Sequence, residues 1–171
     1  MTHKNIRKLV FSAMLAALVF TATWISVPNG LGGNINLGDS VLLLGAWLLG
    51  GPWATAAAAV GAALTDLLGG YTVYAPATLV IKAVMVLVAI LVSHLLRRFP
   101  PFPRRLLSGL AAESVMVAGY FGYEAFVLGL GILPAATGIP FNLIQGAVSI
   151  LIANLLCLIL EKAGLSDVIK Q

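Results

Sequence analysis

Residues 69–98 read GGYTVYAPATLVIKAVMVLVAILVSHLLRR, and they decide the fold. Gly69-Gly70 breaks the chain, Pro76 is tolerated in a first helical turn, and Arg97-Arg98 closes the run. Between them lie some 20 apolar residues, which at ~1.5 Å per residue give ~30 Å, the thickness of a bilayer core. The segment therefore predicts a membrane-spanning helix. Lys82 interrupts it ~9 Å from its first end. A lysine at that depth is costly, and such residues line sites or pair with a counter-charge.

The rest of the chain agrees. Of 171 residues, 60% are hydrophobic and 9% charged, against roughly 25% charged in a soluble domain. Mean hydropathy is +1.03. The long apolar runs favour helices over a β-barrel, so the fold class is an all-α integral membrane protein. Six transmembrane helices are drawn within one domain, at about 6–27, 38–49, 53–68, 76–97, 106–130 and 141–161. The second is short for a span. The apolar stretch after the basic start is too long for a leader and lacks a small-x-small cleavage site, so it reads as a retained first helix.

Charge sets the expected topology. Nine of the ten Lys and Arg residues fall near the N-terminus, in RRFPPFPRR (97–105) or near the C-terminus. Six spans place all three segments on one side, so both termini are expected in the cytoplasm. These clusters report topology, and no nucleic-acid partner is expected. The lipid bilayer is the expected surrounding.

Polar residues inside the spans gather at one depth. Asp66 lies ~6 Å from the outer end of the third helix, level with Lys82 on the antiparallel fourth. The two are within reach of one another, as an ion pair or as the walls of a ligand site. In the fifth helix Glu113, Val117, Tyr120 and Glu124 share a face. Glu124 is expected either in the ligand site or as a structural partner of Lys82, and Glu113 in a neutral or hydrogen-bonded packing role. Asn142 and Gln145 open the sixth helix, as interhelical glue or as ligand readers. Asp39 fits a helix cap slightly better than a ligand contact. Tyr71 and Tyr74 stand at the outer interface beside the site, where their faces can stack on a flat ring. Trp24, Trp47 and Trp53 read as belt anchors. The arrangement is a pocket open to the outside and not a conduction path, which needs polar groups through the full depth.

Enzyme motifs are missing: there is no HExxH, G-x-S-x-G, P-loop or GxGxxG. His3, His94 and Cys157 have no metal-ligand spacing, so neither metal nor cofactor is expected. The first helix carries Ala13-x-x-x-Ala17, a strip on which another helix can approach closely, though such spacing also serves internal packing.

Together, Ala13-x-x-x-Ala17, NLGDS (36–40), ALTDLLGGYTVYAPATLVIKAVM (63–85) and IPFNLIQG (139–146) resemble the substrate-binding S component of energy-coupling factor (ECF) vitamin transporters, over essentially the whole chain. The block at 63–85 looks most like the pyridoxine and alpha-ribazole branch, although AVMVLVAIL (83–91) lacks a glycine that members often carry there. The resemblance implies a subunit of a prokaryotic plasma membrane that binds a vitamin from outside and topples to deliver it. It implies docking through Ala13 and Ala17 on a transmembrane coupling protein (T component) that carries two ATPases. ATP hydrolysis is then the partners' work, and this chain is not an enzyme. It implies that the outer loops, including 28–38, gate the pocket. By the depth argument the substrate-binding set is Lys82, Asp66, Glu124, Asn142, Gln145, Tyr71, Tyr74, Asp39 and Asn36. The implied substrate is a vitamin B6 form or a cobalamin precursor. Rival readings are a stand-alone transporter or channel, and a membrane assembly protein without a ligand.

Overall fold

A computed structural model describes residues 3–28 and 34–165. The elements run α1 (His3–Trp24), β1 (Ser26–Pro28), β2 (Asn34–Asn36), α2 (Gly38–Leu48), α3 (Gly51–Leu68), α4 (Ala75–Leu95) and α5 (Pro101–Gly122). α5 ends in a π-helical turn (Tyr123–Val127), followed by the single-turn α6 (Ile132–Ala136) and α7 (Ile139–Lys162). The result is an all-α integral membrane fold of six principal helices. Three stretches are apolar enough and long enough to cross a bilayer on those grounds alone: Asn5–Trp24, Ala75–Leu95 and Ile132–Lys162.

Proline placement explains several of the helix bounds that differ from the expected ones, while α4 and α5 also end early, at Leu95 and Gly122 against 97 and 130. α1 stops at Trp24 and not at Val27, because the residue before Pro28 is pushed out of the helical region. Val27 instead pairs with Ile35 in the small antiparallel hairpin β1–β2, which the sequence reading did not anticipate. α5 begins at Pro101, five residues early, because prolines suit the first positions of a helix. The turn expected at 97–105 shrinks accordingly. α3 and α7 gain a residue or two at their starts by the same device, through Pro52 and Pro140.

The bundle is ordered by its neighbours: α3 packs between α1 and α4, α4 on α5, and α7 against α2 and α5. Leu15, Leu42, Leu43, Met85, Val86, Met116 and Ile150 form the core with the inward alanines of α3. Small residues let α1 and α3 close up. A Cβ on Gly61 would collide with the main chain of Ala16. Arg105, at the start of α5, holds Glu161, at the end of α7, at 2.8 Å, on the same end of the bundle as the start of α1.

α2 is the unusual element. Its 11 residues rise only about 16 Å, while α3 returns over 18 residues. α2 thus starts at mid-depth. The hairpin occupies the space above it, tied to α1 by the Leu37 N–H donating to Ala22 O at 3.2 Å.

Candidate functional site

The half-length α2 carries Asp39, expected as a helix cap slightly ahead of a ligand contact, to the base of the site. Asp39, in the first turn of α2, is 1% exposed, and it does not cap its helix: Leu37 is the N-cap, without a side-chain bond. The cap-like bond comes from Asn36, whose Oδ1 accepts the Gly38 N–H at 3.0 Å. Asp39 instead accepts the Lys82 Nζ at 2.5 Å on one oxygen and the Gln145 Nε2 at 2.6 Å on the other. Gln145 Oε1 in turn accepts the Asn36 N–H at 2.9 Å. One connected polar cluster therefore joins α2, α4, α7 and the hairpin. Lys82, 4% exposed, also sits 5.5 Å from the Tyr120 ring centroid, in reach of the ring's negative face.

This geometry decides between alternatives that the sequence left open. Lys82 forms no bridge to Asp66, and Glu124 is not its partner. The reason is positional. A buried lysine charge is costly without a counter-charge, and α2 delivers the Asp39 carboxylate directly to it. Asp66, near the end of α3, keeps its Oδ2 buried with no hydrogen-bond partner, while the Thr78 hydroxyl sits beside the carboxyl. Thr78 Oγ1 also lies 3.0 Å from the Tyr120 hydroxyl. Glu124 rides on the π-helical turn, where its Oε1 accepts the Tyr74 O–H at 3.3 Å. The neighbouring Tyr123 donates to Val73 O at 2.5 Å. The turn thereby fastens the end of α5 to the loop before α4.

Tyr74 stands ahead of the first residue of α4. Its hydroxyl is pushed up to about 12 by burial and by the adjacent Glu124. It remains a donor at neutral pH.

Above the cluster opens a cavity of about 580 Å³, at the end of the bundle opposite the Arg105–Glu161 pair. Eight of the nine expected site residues line it: Asn36, Asp66, Tyr71, Tyr74, Lys82, Glu124, Asn142 and Gln145. The ninth, Asp39, lies behind Lys82 and Gln145 and holds both. Sequence reasoning missed Thr23, Thr65, Thr78 and Thr137 on the wall. Thr78 had a legible signal, since 74, 78 and 82 recur at helical spacing. Trp24, read as a belt anchor, lines the cavity too.

Other expectations fall elsewhere. Glu113 is buried with neither oxygen hydrogen-bonded, packed close to Gly146. Ala13 and Ala17 lie exposed on the face of α1 away from buried Ser12, Leu15 and Val19. The gating expected of 28–38 falls partly on 29–33, outside the described residues. Among the described residues no group of His, Cys, Asp and Glu is arranged to hold a metal.

A family model described as the S component of an ECF-type riboflavin transporter matches residues 3–162. One solved structure, described as "Structure and mechanism of the S component of a bacterial ECF transporter", superposes with a TM-score of 0.70 at 22% identity. The match covers 94% of this chain and 98% of that one. At that identity the likeness speaks for the fold. No curated protein matches.

Proposed function

Because this chain belongs to the ECF-type riboflavin transporter S-component family, we propose that it captures a flat, ring-bearing vitamin in the cavity above Asp39 and Lys82. Members of the family are substrate-binding transport subunits of the membrane and not enzymes. Their setting is a small vitamin-like substrate, a membrane coupling protein and ATPases.

The observation that carries the substrate reading is the convergence of polar and aromatic groups on one 580 Å³ cavity, a size typical of small-molecule sites. Tyr71, Tyr74 and Trp24 offer ring faces for stacking. Asp66, Glu124, Asn142 and Gln145 offer hydrogen bonds at several heights. The Asp39–Lys82–Gln145 cluster forms the floor. Riboflavin is the first candidate because the matching family is named for it. A vitamin B6 form and a cobalamin precursor of the alpha-ribazole type follow from the sequence block at 63–85. The positive-inside pattern supports a cavity facing outward. The exposed face of α1 bearing Ala13 and Ala17 supports that face as the surface presented to the coupling protein.

Thermal unfolding of the purified chain against riboflavin, pyridoxine, pyridoxal and alpha-ribazole tests this. A ligand at 100 times its Kd adds about 2.7 kcal/mol, and one compound is expected to raise the midpoint accordingly. A flat response to all four would rule out these substrates and favour an assembly role.

A further inference from the structure

The balance of charge around the cavity has a consequence for what enters it. Two carboxylates, Asp66 and Glu124, lie on the wall, and one ammonium, Lys82. That ammonium is spent: its Nζ lies 2.5 Å from Asp39, and it is nearly sealed from solvent. Neither wall carboxylate has a cation within salt-bridge distance among the described residues. Asp66 lines the cavity, and one of its oxygens is buried behind the wall without a hydrogen-bond partner. The sequence supplies no substitute, since no Lys, Arg or His occurs between Lys8 and Lys82 or between Arg105 and Lys162. The two wall carboxylates have two possible states. Ionised, they repel an anion across a low-dielectric site. Protonated, they offer it no counter-charge. In either state a phosphate group would be desolvated without a counter-charge, whereas an N–H or O–H donor would find acceptors in the two wall carboxylates.

We infer that the cavity admits uncharged or cationic ligands bearing hydrogen-bond donors and refuses phosphomonoesters, with Asp66 and Glu124 as the residues that set this discrimination. The inference rests on the substrate-binding reading above and deepens it.

Matched pairs test it on the full chain in detergent by titration: riboflavin and riboflavin 5′-phosphate, pyridoxal and pyridoxal 5′-phosphate, alpha-ribazole and its 5′-phosphate. For whichever pair binds, the phosphorylated member is expected to be at least about 100-fold weaker, since like-charge juxtaposition is strongly disfavoured. Asp66→Asn and, separately, Glu124→Gln should each narrow that ratio by about tenfold. Equal affinity within a pair overturns the inference and leaves the substrate-binding reading intact. A wide ratio unchanged in both variants overturns the assignment to Asp66 and Glu124. Should Asp66→Asn fail to fold, the Glu124→Gln ratio decides alone. Failure of every compound to bind removes the substrate-binding reading, and the inference with it.

Discussion

Lys82 and Asp39 act as a unit, and their energetics differ from those of a surface pair. Both are almost fully buried, so breaking the bond from one side leaves an uncompensated charge. Lys82→Met or Asp39→Asn alone is expected to lower stability by about 3–5 kcal/mol. The double variant should recover most of that loss, because no charge is stranded. Apparent melting temperatures across the four proteins check the cycle, and additive losses would refute the coupling. The same logic shows why Lys82→Ala alone is a poor probe of ligand binding. Lys82 was conspicuous in the sequence because a charge in an apolar run has few bland explanations. Its partner was not. Asp39 sits where a loop meets a helix, which is how a cap looks, and spacing carries no signal that the helix begins at mid-depth.

At the scale of elements, the loop before α4 and the π-helical turn after α5 hold one edge of the cavity together through Tyr74–Glu124 and Tyr123–Val73. The raised Tyr74 value gives this contact a pH signature. The folded state favours the protonated phenol, so its contribution is fully present below the ordinary tyrosine value of 10.0 and is lost as pH climbs through about 12. The wild-type melting temperature should therefore fall across that alkaline window. In Tyr74→Phe the fall should be shallower, and identical slopes would dismiss the contact as a contributor. The helices themselves were legible, because long apolar runs bounded by Gly, Pro and Arg leave little choice. The hairpin and the π turn were not. Three-residue strands fall below any periodicity test, and a π turn adds one residue to a ladder without changing composition.

At the scale of the whole molecule, two faces stand apart. The cavity uses one end of the bundle, and the Ala13–Ala17 strip lies along the side of α1. Large side chains on that strip would hold a partner helix away. Ala13→Trp with Ala17→Trp is expected to cut vitamin uptake at least tenfold in cells that supply the coupling protein and ATPases. Titration of the isolated variant separates lost docking from lost capture. Undiminished uptake would move the docking surface elsewhere. The family and its general architecture were readable from motif blocks spread across the chain. The substrate branch was not, because it depends on side chains that meet only in three dimensions.

Trp24 stands at the cavity wall and is about half exposed. Trp47 bonds Ser108 at 2.8 Å, near the end where Arg105 meets Glu161, and Trp53 lies at the start of α3 after the turn that follows α2. The chain has three tryptophans in all. Its intrinsic fluorescence is thus divided between one emitter that a ring-bearing occupant would touch and two remote ones that supply a steady baseline. Capture of the ring-bearing substrate proposed above would then register in the native molecule's own emission, in detergent or in lipid, without any attached dye.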